Sequence, residues 1–183
     1  MHLAEYDNFF ITCEGANEEA AFNYILNNQR LSIDENRCYL DNIRVHTKAG
    51  RKKLLNKVLE HNFNGRTAIL DIKDRRSESW SLTRTEKMLM KNNQVEILPV
   101  ITYPEIEILL IILDDACWKM WINRRNKEIN PSGFCKQYYR CDVKKADAFI
   151  EQFCNFGAFV DVCFQYKSRF AQQGELTLYD LIK

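Results

Sequence analysis

Four short apolar runs, each followed by a stretch with helical periodicity, set the strongest limit on what this chain can fold into. NFFITC (8–13) precedes NEEAAFNYILNNQ (17–29), where Ala21, Phe22, Ile25 and Leu26 recur at helical spacing. YLDNIRVH (39–46) precedes GRKKLLNKVLEHN (50–62), apolar at Leu54, Leu55, Val58 and Leu59. TAILD (67–71) precedes a helical pattern over 79–91, and VEILPVIT (95–102) precedes PEIEILLIILDDACWKMWI (104–122). A helix between strands carries the chain back so that the next strand runs parallel. The expected fold over 1–122 is therefore α/β, a mostly parallel four-stranded sheet flanked by helices. Asn17 is the expected cap of the first helix, and Pro104 the expected first-turn residue of the fourth.

The texture changes after residue 122. Residues 123–145 are polar, with a turn expected at Asn130-Pro131-Ser132-Gly133. The aromatic stretch ADAFIEQFCNFGAFVDVCFQYKSRF reads as two helices broken near Gly157, and TLYDLIK as a short docking element. Residues 123–183 are thus expected to form a helical extension packed on the same domain.

Composition excludes several classes. A net charge of +1 gives no whole-protein field for nucleic acid or membrane, so any basic surface must be local. No apolar run reaches the roughly 18–20 residues of a membrane span, and the N-terminus lacks the pattern of a signal peptide. A cytoplasmic protein without membrane contact is expected. The seven cysteines (13, 38, 117, 135, 141, 154 and 163) form no CxxC pair, which argues against a disulfide framework and a zinc ribbon. His2, His46 and His61 are scattered, so a histidine metal site is not expected.

The acidic residues share a placement. Glu14 follows the first expected strand, Asp71 ends the third, Asp74 comes three residues later, and Glu105 and Glu107 follow the fourth. In a parallel sheet the carboxyl ends of the strands line one edge, where ligands bind. Carboxylates gathered there repel one another unless a cation intervenes. Mg²⁺ or Mn²⁺ suits such oxygen donors and would serve phosphoryl chemistry. Plainer roles compete at each position: Glu18, Glu19 and Glu105 can be first-turn helix charges, and Asp74 can pair with Lys73, Arg75 or Arg76. Gly15, directly after Glu14, allows a close approach that a side chain would block.

These residues carry a resemblance. A strand followed by Glu14-Gly15-x-x-Glu18-Glu19, a helix, and a later strand ending in aspartates resembles the Toprim fold. CEGANEEAAFNYIL is similar to the opening of RloB-like and OLD-like Toprim proteins, which are associated with phage defence, and PVITYPEIEILLIIL resembles a segment after the fourth strand in that group. The similarity covers roughly residues 8–113. It implies that Glu14 is a metal ligand or general acid/base, Glu18 the second glutamate of the OLD-like branch, and Asp71 the first aspartate of a DxD pair. The sequence departs from the pattern at D-I-K-D, where the second aspartate, Asp74, is one residue late. The implied ligand set is Glu14, Glu18, Asp71, Asp74 and Glu105, with Glu14, Asp71 and Asp74 catalytic. The implied activity is Mg²⁺- or Mn²⁺-dependent hydrolysis of DNA or RNA.

Basic residues supply a substrate surface. Lys48, Arg51 and Lys52 cluster where the second helix begins, a position suited to phosphate but poor for the helix dipole. Arg75 and Arg76 flank the aspartates. Arg124, Arg125, Lys127, Lys136, Arg140, Lys144 and Lys145 make the tail locally basic, with Tyr138 and Tyr139 either stacking bases or packing in the core. No GxxxxGK[ST] motif is present, so a partner ATPase would have to be a separate chain. Two other readings stay open at this point: a catalytically degenerate interaction module, and a phosphotransfer enzyme or phosphatase acting on a small substrate. A homodimer stays open as well.

Overall fold

The computed structural model describes residues 3–40, 45, 47–61, 63–125, 127–139, 143 and 145–183. Strand β1 (Asn8–Cys13) lies between β2 (Cys38–Tyr39) and β3 (Thr67–Lys73), and β4 (Val95–Ile101) forms the far edge. The order is β2-β1-β3-β4 and every pairing is parallel. The chain is thus an α/β protein whose four-stranded parallel sheet is flanked by helices, with further helices at the C-terminal end. The expected second strand over 39–46 is visible only at its start, since 41–44 and 46 lie outside the described residues.

The third strand runs two residues past the expected end at Asp71. Ile72 pairs with Cys13 and Val100, and Lys73 with Ile101. Asp71 is therefore inside the sheet, in register with Thr12 and Pro99. Asp74 is the first residue beyond it.

Alternation along the strands sends side chains to two layers. Phe9, Ile11, Cys13, Ala68, Leu70 and Ile72 face the larger core. Phe10 and Ile69 face the smaller one, with Leu54, Leu55, Val58 and Trp80. The larger layer is covered by α1 (Ala16–Asn27), α4 (Ile108–Leu113) and α8 (Phe156–Phe170), the smaller by α2 (Lys48–Glu60) and α3 (Arg84–Asn92). Each fully buried Phe, Leu or Ile contributes about 1.5–3 kcal/mol, so the doubly covered sheet dominates stability. Caps fix the helix starts on the α2 side: Thr47 Oγ1 accepts from Gly50 N at 3.0 Å, and Thr83 and Glu86 form a reciprocal capping box.

Three helix expectations are corrected. Asn17 does not cap α1; Gly15 holds the cap position, and Asn17 is buried within the first turn. Pro104 does not open a helix: the chain turns through 103–107, α4 begins at Ile108, and Asp114 ends it. The Asp114 carboxylate then caps α5 (Asp115–Ile122), accepting from Ala116 N at 2.7 Å and Cys117 N at 3.0 Å. Residues 131–139 form a helix, α6 (Pro131–Tyr139), where a turn was expected; Pro131 sits at its first position, where a missing N–H costs nothing.

The tail joins the main core. Helix α7 (Ala146–Ile150) and α8 are separated at 151–155, ahead of Gly157, because Asn155 caps α8 through Ala158 N at 2.9 Å. Phe149, Phe159 and Val162 lie in the same cluster as the strand residues. The closing segment docks by bridges from Leu176 to Val100 and from Ile182 to Leu31, with a short 3-10 turn at Leu178–Leu181. Tyr138 and Tyr139 are spent in packing, donating to Asp114 Oδ2 at 3.2 Å and to the Leu110 carbonyl at 2.7 Å. The described cysteines are free thiols; Cys141, like His2, His46, Arg140 and Lys144, lies outside the described residues. No described helix is long and apolar enough to cross a membrane.

Candidate active site at the carboxyl edge of the sheet

Glu14 leaves β1 where its backbone N–H still donates to the Ile72 carbonyl at 2.9 Å. That bond sets Glu14 beside the end of β3. The Asp74 backbone N–H hydrogen-bonds the Glu14 carboxyl, and the two carboxyl groups also meet each other. A carboxyl–carboxyl hydrogen bond needs a shared proton; without one, two like charges face each other. Burial pushes Glu14 above the usual carboxylate range, and the negative charges of Asp74 and Glu78 push the same way. Burial raises Asp74 too, against the opposing pull of Arg75 and of the Glu14 hydrogen bond. Asp74 Oδ1 is buried and accepts no hydrogen bond, with the Arg75 Nε at 3.7 Å.

Glu18 lies behind this pair, on the first turn of α1. It is only 7% exposed, and its carboxyl folds back toward its own backbone amide. Gly15 makes the fold-back feasible, since a Cβ there would stand 2.4 Å from Glu18 Oε2. Thr102 Oγ1 donates to Glu18 Oε1 at 3.4 Å. Burial lifts the Glu18 pKa to about 7, reinforced by the charges of Glu107, Asp74 and Glu14. Glu107 is equally buried and takes a 2.9 Å hydrogen bond from Asn17 Nδ2, which also donates to the Val143 carbonyl at 2.9 Å. Four carboxyls from the ends of three strands and one helix turn are thus electrostatically coupled at one edge.

Two of the expected ligands stand apart. Asp71 accepts from Thr12 Oγ1 at 3.0 Å and has the Lys73 ammonium 3.7 Å away, both residues buried on the α2 side. Strand alternation separates it from Asp74, which turns toward the Glu18 side. Glu105 accepts from Asn130 Nδ2 at 2.7 Å and Ser132 N at 2.9 Å, so it caps α6. The inward residue of that turn is Glu107, grouped with the strand-end acids in the sequence but not included in the expected ligand set. Only the turn through 103–107 decides which of the two glutamates faces in, and spacing does not reveal it.

The donor set fits a hard divalent ion better at some positions than at others. Glu14 and Asp74 offer adjacent oxygens, one of them orphaned, and Mg²⁺ commonly takes one or two carboxylates plus water and substrate oxygen. Asp71 has the buried Lys73 ammonium beside it, whereas the Arg75 guanidinium at the same 3.7 Å from Asp74 is exposed to solvent. Among the described residues no three His, Cys, Asp or Glu side chains form a ready-made cage.

The basic residues divide as well. Lys48, Arg51, Lys52 and Arg75 line a cavity of about 560 Å³ between the start of α2 and the loop at 75–82. Arg76 is not among its lining residues; Glu175 holds its guanidinium at 2.7 and 3.0 Å, the Phe170 carbonyl at 2.7 Å, and it lies 4.4 Å from the Tyr103 ring centre. In the tail, Arg124 lies over the Trp121 ring and Lys127 donates to the Ile122 carbonyl.

No family model, curated protein or solved structure matches the chain.

Proposed function

We propose that the protein is a divalent-cation-dependent nuclease acting on DNA or RNA. The observation that carries this reading is the Glu14–Asp74 carboxyl pair, half-buried side by side where two neighbouring parallel strands end. The resemblance of EGANEEAAF and the later aspartates to Toprim proteins of the RloB-like and OLD-like group points the same way. In this reading Glu14 and Asp74 hold the ion, and the late aspartate of D-I-K-D is the functional one because β3 continues past Asp71. Bound Mg²⁺ or Mn²⁺ would supply a polarised phosphoryl oxygen and an activated water. Glu18, with a pKa of about 7, is matched to holding or passing a proton at neutral pH. Asn17 and Thr102 orient Glu107 and Glu18 behind the pair. Asp71 is a structural partner of Lys73.

One observation favours a second reading, an interaction module with a degenerate site that works with a separate ATPase chain: the described residues form no three-ligand cage. The test is cleavage of single- and double-stranded DNA and RNA with Mg²⁺ or Mn²⁺, together with Mn²⁺ binding followed by electron paramagnetic resonance. Glu14→Gln and Asp74→Asn should each lower the rate more than about 100-fold, since even outer-shell partners of a metal cost 10–100-fold. Asp71→Asn should keep the metal affinity. A wild-type protein that neither binds Mn²⁺ nor cleaves any substrate would leave the interaction module as the better account.

A further inference from the structure

The cavity beside the acidic edge has a chemistry of its own. Its acidic wall residues are consumed internally: Glu78 by an ion pair with Arg51, Glu86 by the capping box with Thr83. The groups left over are donors. Lys48 and Lys52 make no close ion pair among the described residues, although Lys52 lies near enough to Glu86 to favour its charged form, and Ser77, Ser79 and Ser81 line the cavity at alternate positions along the loop. Arg51, 6% exposed, and Trp80, 9% exposed, both belong to the wall, and the Arg51 Nε–H and the Trp80 indole N–H meet no acceptor. A wall that offers donors and positive charge selects a ligand rich in acceptors and negative charge.

Size and apolar surface narrow the class. About 560 Å³ is far more than a lone phosphate occupies and falls within the roughly 300–1,000 Å³ of small-molecule sites. Leu55, Leu82 and Trp80 add an apolar side to the same cavity, suited to a sugar and base. Arg75 lines the cavity and also stands 3.7 Å from Asp74, so the two sites adjoin.

We propose that this cavity binds a nucleotide, taking its phosphate at Lys48, Lys52 and the loop serines and its sugar and base against Trp80 and the leucines. The link to a nucleic-acid strand rests on the nuclease reading; the nucleotide site itself does not.

The experiment is binding in EDTA, so that no metal chemistry is needed, followed by the Trp80 indole N–H resonance assigned with Trp80→Phe. The probes are inorganic phosphate, AMP and a 5′-phosphorylated oligothymidine. AMP or the oligonucleotide should shift that resonance. Lys48→Ala combined with Lys52→Ala should weaken binding roughly tenfold or more, the scale of losing one or more charge-assisted contacts. AMP binding identifies a free nucleotide as sufficient, and binding of the oligonucleotide alone identifies a strand. No shift with either, binding unaffected by the double substitution in a protein with unchanged circular dichroism, or phosphate binding as tightly as AMP would overturn the proposal. Binding without cleavage under any metal would sink the nuclease reading and leave this site standing; cleavage without a Trp80 response would do the reverse.

Discussion

Charge is compensated unequally on the two sides of the sheet's carboxyl edge. On the α2 side each buried charge has a counterpart: Asp71 with Lys73 and Thr12, Arg51 with Glu78. On the α1 side Glu14, Glu18, Asp74 and Glu107 crowd one another; the Arg75 guanidinium 3.7 Å from Asp74 is largely exposed, where Lys73 is buried, and Asn17 and Thr102 are neutral. A fold that compensates its charges on one side has the means to do so on the other. The less compensated side is the one whose free energy a cation or a proton can lower most.

The contrast can be broken most severely from the compensated side. Lys73→Met leaves the Asp71 carboxyl buried without its cation, and should lower stability by about 3–5 kcal/mol. Urea denaturation reads it, and adding Asp71→Asn should restore much of the loss. A cost below about 1 kcal/mol would mean that the two sides do not differ in kind.

The crowded side should respond with the opposite sign. Glu18 has a folded pKa of about 7 against an ordinary 4.5, so the folded state holds the extra proton between those values. Stability from this group is therefore full below pH 4.5 and is lost as pH rises through 7. In EDTA, Glu18→Gln should remove that decline and make the variant more stable than wild type at pH 8 by roughly 2–4 kcal/mol. The variant and wild type should converge near pH 4.5. Parallel stability curves for the two proteins from pH 4.5 to pH 8 would deny that Glu18 is strained.

The smallest effect separates the two neighbouring glutamates after β4. Glu105→Ala removes a helix cap and should cost about 1 kcal/mol while leaving metal affinity unchanged. Mn²⁺ titration checks it, and a large drop in affinity would return Glu105 to the acidic cluster.

Much of the sheet was legible because its strands are apolar and its helices amphipathic. NFFITC runs over the same residues in sequence and structure. The third strand continues beyond TAILD to Lys73, although Asp71 and Lys73 look like the polar margin of a strand. Buried together they are strand interior, and a one-dimensional pattern does not distinguish a compensated pair from a loop. The same limit applies to the acidic cluster. The strand-end placement of Glu14 and Asp74 is visible in the sequence, while placement alone gives Glu18 only a first-turn helix role. That Glu107 rather than Glu105 faces in, that Asn17 turns inward and that Trp80 lines the cavity all depend on loops. Loop paths follow from tertiary contacts such as the Glu105–Ser132 cap, whose two ends are 27 residues apart.

The grip of Glu175 on Arg76 makes the closing segment a remote anchor for the acidic edge of the sheet. Arg76 follows directly on Asp74 and Arg75, so the loop carrying one candidate ligand and one wall of the cavity is moored to the far end of the chain. The Leu176–Val100 bridge sets that mooring in register with β4. An event at the C-terminal segment, whether a bound partner, a fused domain or a cleavage, has a short mechanical route to Asp74.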